Sequence, residues 1–199
     1  MKRLALALSL IAAPALAQDD EDAVMEIKGL KPDFAVQLAQ GAMEHCREMG
    51  FQVGVALVDR SGVLQVFIKD RFAGAHTIET ARRKAWTAVS FRTNTHELDG
   101  LTRPEAEAYG IRFISEALPL GGGLMIESGG SLIGGVGVSG APGGDLDVEC
   151  AEAGIEAIED ALERFGSSMD RVVKCTVFLV DMAEWSAMNE VYAEFFSQP

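Results

Sequence analysis

Two pairs of short apolar runs, each joined by a tight polar turn, constrain this chain more than any other feature. Residues 53–58 (VGVALV) lead through Asp59-Arg60-Ser61-Gly62 into residues 63–68 (VLQVFI). Residues 124–127 (LMIE) lead through Ser128-Gly129-Gly130 into residues 131–138 (SLIGGVGV). Apolar runs of this length divided by turn formers read as β-hairpins. The sheet is therefore expected to be antiparallel, because hairpins cannot build a parallel one. Phe34, Leu38, Ala42, Cys46 and Met49 recur at helical spacing and predict a helix over 33–49, with Pro32 in its first turn and Gly50 at its stop. A second helix is predicted over 77–91 with Thr77 as its cap, a short one near Pro104, and a third from Asp147 to Arg164. Residues 172–180 (VVKCTVFLV) read as an apolar strand and 184–196 as a last helix. Hairpins interleaved with helices predict an α+β fold, an antiparallel sheet with packed helices and a C-terminal strand-helix appendage.

Composition narrows the function. The chain carries 17 Lys and Arg against 30 Asp and Glu, a formal net charge of −13 over 199 residues. That sign repels nucleic acid and anionic membrane surfaces, so no nucleic-acid partner is expected. Lys2 and Arg3, the apolar run Leu4–Ala13, Pro14 and the small-residue ending Ala15-Leu16-Ala17 have the layout of a secretory signal peptide over residues 1–17. A secreted or periplasmic location is expected, with 18–30 an acidic, mobile segment and no membrane span after cleavage. An oxidising compartment permits disulfides. The three cysteines, Cys46, Cys150 and Cys175, are odd in number and fit no zinc spacing, so they are read as buried, unreactive thiols.

Gly135-Val-Gly137-Val-Ser-Gly140 matches the G-x-G-x-x-G pattern of dinucleotide sites. However, Gly135 and Gly137 lie within the strand rather than in the turn after it, and no acidic residue closes the next strand about 20 residues on. The glycines are read instead as sites of close approach, by another backbone or by a flat ligand. Ser139 lacks a nucleophile elbow, and no catalytic acid–base constellation is evident.

Three segments carry a family resemblance. They are 53–62 (VGVALVDRSG), 75–88 (AHTIETARRKAWTA) and 134–145 (GGVGVSGAPGGD), the last followed by Glu149-Cys150-Ala151. Over about residues 31–160 the chain resembles the GlcG/HbpS-type haem-binding proteins. In this chain Val148 separates Asp147 from Glu149, where similar proteins often have two adjacent acids. The resemblance implies an α+β sandwich, a homo-oligomer, and binding of haem or a related tetrapyrrole, with haem degradation or iron release in some members. It implies a GlcG/HbpS-like domain over 31–164. Residues 165–199, through 166–182 (GSSMDRVVKCTVFLVDM) and 189–196 (NEVYAEFF), resemble part of the RidA (YjgF) enamine/imine deaminases. That family grips its substrate carboxylate with an arginine that the matching stretch, residues 165–199, is not expected to supply. An exported haem-handling or sensing protein is the leading reading. A RidA-like deaminase and a non-haem metabolite binder are the alternatives.

The candidate cofactor-binding residues are His76, Arg82, Lys84, Gly135, Gly137 and His45. Imidazole is the usual axial ligand of haem iron. His76, at the start of the second helix, comes first, with Glu79 at i+3 as a second metal donor. His45 stands beside Cys46 on the first helix, and His96 lies in a polar stretch. Arg82, Arg83 and Lys84 form a basic cluster suited to the propionates of haem. Asp145, Asp147 and Glu149 are read as favouring the helix dipole rather than holding a cation. No catalytic residue is assigned.

Overall fold

The computed structural model describes residues 27–164 and Ser168. The expected leader, most of the acidic segment, and the strand and helix expected over 172–180 and 184–196 lie outside the described residues. The elements are α1 (Pro32–Glu48), β1 (Gly54–Asp59), β2 (Leu64–Lys69), α2 (Thr77–Phe91), α3 (Thr95–Leu101), a 3-10 turn at Glu107–Phe113, β3 (Gly123–Ser128), β4 (Ser131–Ser139) and α4 (Gly144–Arg164). Both hairpins form as the sequence predicts. Their strands make one four-stranded antiparallel sheet in the order β2-β1-β4-β3. The Asp59 carboxylate closes the first turn, accepting the backbone N–H of Ser61 at 2.8 Å and of Val63 at 3.0 Å. The short helix expected near Pro104 is instead α3, which ends at Leu101.

The alternating pattern of the strands sorts the two faces. Val55, Leu57, Val136 and Val138 join α1 and α4 in the main core. Gly54, Ala56, Val58, Gly135 and Gly137 share the opposite face, which α2 covers. The molecule is thus three layers, with α1 and α4 on one side of the sheet and α2 on the other. Two glycines bring α1 and α4 together. A Cβ at Gly154 would fall 2.8 Å from the Leu38 carbonyl oxygen, and one at Gly41 would fall 2.9 Å from the Ala157 Cβ. At this seam Cys46 and Cys150 are joined in a buried disulfide across a sequence separation of 104. The expectation of unreactive thiols is therefore corrected for two of the three cysteines. Nothing in their local sequence shows the pairing, because the helix–helix packing creates it.

The edges of the sheet differ. The outward-facing amides of β3 are covered: Gly123 donates to Thr95 Oγ1 at 2.8 Å and Met125 to Asn94 Oδ1 at 3.0 Å. Thr95 Oγ1 also donates to the Gly123 carbonyl at 3.2 Å. Among the described residues no side chain covers the outer edge of β2 in this way, and Val63 and Leu64 beside it are exposed.

Candidate ligand site at the start of the second helix

His76 caps α2, and Thr77, expected as the cap, is the first helical residue. Two consecutive turns lead into it, Ala73 N–H to the Asp70 carbonyl and Thr77 N–H to the Gly74 carbonyl, both at 3.1 Å. The imidazole lies back over Gly74, where a Cβ would fall 2.6 Å from its Cε1. A side chain at this position would turn the exposed ring to another rotamer. The His76 carbonyl accepts the N–H and the hydroxyl of Thr80, each at 3.0 Å. The Thr80 hydroxyl also lies 2.7 Å from Ser139 Oγ, tying the start of α2 to the end of β4.

The three histidines differ in what they face. His45 Nε2 is 3.4 Å from Glu149, and His96 Nδ1 is 3.2 Å from Asp145. His76 is exposed, and among the described residues its ring nitrogens make no hydrogen bond or ion pair. Glu79 does not join it: its carboxylate accepts Arg82 at 2.9 and 3.2 Å. Among the described residues no group of three His, Cys, Asp or Glu could hold a metal ion. The site therefore offers one free imidazole. That is too few donors for a bare iron ion, but it is one axial ligand for an iron already held by a macrocycle.

The basic run is put to other uses. Arg82 spans Glu79 and Glu116, the latter at 2.8 Å, and both carboxylates raise its pKa. Arg83 donates to the carbonyls of Glu116 and Ala117 at 3.3 and 2.8 Å. Lys84 is buried, and its ammonium donates to Asp147 Oδ2 at 2.7 Å and to the Val138 carbonyl at 3.0 Å. Burial pushes the Lys84 pKa down and the Asp147 pKa up, while the ion pair opposes both shifts. The propionate role expected of Lys84 is thus corrected, because a group sealed in this pair cannot reach a ligand. Asp147 acts as the partner of Lys84, and its other oxygen accepts the Ala141 N–H at 3.0 Å. The pair joins α2 to the start of α4 around the end of the sheet.

Gly135 and Gly137 receive a backbone and not a flat ligand. A Cβ at Gly137 would fall 2.0 Å from the Ala81 carbonyl oxygen, and one at Gly135 would fall 3.1 Å from that of Ala85. The helix α2, with Ala81, Ala85 and Ala88 buried, lies directly on these glycines. Sequence reasoning did not single out Asp70, Arg71 and Phe72, which precede the site. Asp70 is buried and accepts Arg47 at 2.7 and 3.2 Å, while Phe72 is 78% exposed. An apolar ring next to arginine in a turn-rich stretch was the available signal.

Residues 30–156 match the family model described as haem degrading protein HbpS-like. Residues 134–199 match a second, endoribonuclease L-PSP, so the two overlap over β4 and the first part of α4. The chain is 36% identical over 124 residues to the corrinoid adenosyltransferase PduO of Salmonella typhimurium, a match covering 61% of this chain and 37% of PduO. The chain thus spans little more than a third of that relative. The fold is similar to the crystal structure of a double mutant of Streptomyces reticuli HbpS, with TM-score 0.64 and 35% identity, covering 74% of this chain and 97% of that one. It is also similar to the PduOC:heme complex, with TM-score 0.62 and 34% identity, covering 65% and 94%. With its α+β architecture and the family model spanning well over half its length, the chain belongs to the HbpS-like family.

Proposed function

We propose that this protein binds haem or a closely related tetrapyrrole and serves haem handling or sensing outside the cytoplasm. The observation that carries the reading is the single exposed imidazole of His76, which has no hydrogen-bond or ion-pair partner among the described residues. His76 would hold the haem iron there, and the haem would supply redox or ligand-binding iron chemistry. The protein's part is to present one nitrogen and to keep competing acids occupied, as Arg82 does with Glu79 and Glu116. Similarity to a protein crystallised as a haem complex supports the same ligand. A secreted or periplasmic location is part of the proposal. The Cys46–Cys150 disulfide supports it, since such bonds persist in oxidising compartments. Assembly into a homo-oligomer is also part of it, supported by the edge of β2, which no side chain caps among the described residues and beside which Val63 and Leu64 are exposed.

The test is a haemin titration of the purified protein with His76→Ala alongside, read by the Soret band. A saturable, red-shifted band at one haem per subunit that is altered by the substitution is expected. A saturable band unchanged in the variant would move the iron to another ligand. No saturable band would remove haem and leave a metabolite binder.

A further inference from the structure

Resting on that haem reading, we propose that a carboxylate arm of the ligand is held by Arg71, with the ring of Phe72 against the flat apolar body. The predicted anchors are spent on other partners, so the anion must be met elsewhere. An open depression of about 590 Å³ is lined by Arg47, Lys69, Asp70 and Arg71. It holds three cations and one carboxylate in a chain of net charge −13. That carboxylate is already engaged. Asp70 accepts two hydrogen bonds from Arg47 and a third, at 2.7 Å, from the Arg71 backbone N–H. Lys69 is fixed by the carbonyls of Asp70 and Ala73 at 3.0 and 2.7 Å. The Arg71 guanidinium makes no salt bridge among the described residues and lies 5.4 Å from the centroid of the Phe72 ring.

A cation over one face of an exposed phenyl ring matches a ligand that is both anionic and flat. A surface phenyl with most of its area in water gains apolar contact when a ring system covers it. The spacing to His76 is also fitting. Arg71 and His76 are five residues apart, so their Cα atoms lie within about 17 Å. The two turns between them shorten that span. One short loop therefore carries an iron ligand at one end and a carboxylate ligand at the other.

The test compares haemin with haemin dimethyl ester, whose carboxylates are blocked, on the wild-type protein, Arg71→Gln and Arg71→Lys. Affinity comes from the Soret titration, and folding of the variants from their thermal denaturation. Arg71→Gln is expected to raise the haemin Kd about fivefold, the scale of one exposed charge pair. The Soret maximum should not move, and Arg71→Lys should recover part of the loss. The ester should bind the wild type and Arg71→Gln alike. Equal haemin affinity in all three proteins would overturn the anchor and leave the His76 reading standing. An equal loss for the ester would also overturn it, by showing that the carboxylates are not what Arg71 meets. No saturable binding to the wild type would overturn the haem reading and this inference together.

Discussion

The side chain of Asp70 shows how a single carboxylate sets a pH dependence. The hydrogen bonds from Arg47, followed by that from the Arg71 amide, hold its pKa below the usual carboxylate range against the opposing effect of burial. A carboxyl more acidic in the folded than in the unfolded chain stabilises the fold above its unfolded pKa of about 4, and that stabilisation is lost as the pH falls through the lower, folded value. Asp70→Asn is therefore expected to lower the thermal midpoint most between about pH 5 and 7, with the gap to wild type closing below about pH 4. Midpoints measured from pH 7 to 3 check this, and a constant gap would assign the loss to packing. Charge at this scale was only partly legible in the sequence. Arg82, Arg83 and Lys84 read as one cluster, yet the first two turn to Glu116 and its neighbours while Lys84 turns inward to Asp147. The partner of Lys84 lies 63 residues away, and no local pattern carries that distance.

Between elements, the closest fit is α2 on β4. At Gly137 the helix backbone occupies the place of a side chain. Gly137→Ala must push α2 off the sheet or bend β4, and a cost of about 3 kcal/mol is expected, at the upper end for overpacking. Gly143→Ala is the control, because a Cβ there meets nothing within 4 Å. Urea denaturation of both variants is the measurement, and a Gly137→Ala protein as stable as the control would contradict the contact. The elements themselves were readable: apolar periodicity and turn residues place β1 to β4, α1 and α2 within a residue or two, and α4 within three. What faces what was not. The strand glycines admitted either a backbone or a ligand, and only the path of α2 decides between them.

For the molecule as a whole, the Cys46–Cys150 bond is the longest-range covalent constraint among the described residues, closing 104 residues around the sheet. A loop of that length gives a stabilisation of about 4 to 5 kcal/mol in the chain-entropy account. Cys46→Ala with Cys150→Ala is expected to lose most of it in urea denaturation. Thiol titration of the unfolded, unreduced wild-type protein should find no more than one thiol per chain, and a count of three would refute the bond. Strand order and cysteine pairing were both hidden in the sequence for the same reason, since each joins segments that are neighbours only after folding.

The asymmetry of the sheet edges has a further consequence. Asn94 and Thr95 stopper one margin at β3, while among the described residues no side chain caps the margin at β2. In the language of polymer chemistry such a subunit is monofunctional. Joined to a copy through β2, it would form an eight-stranded sheet ended at both margins by stoppered β3 strands. Strand addition then terminates at two subunits, and the apolar hairpins cannot seed a fibre by this route.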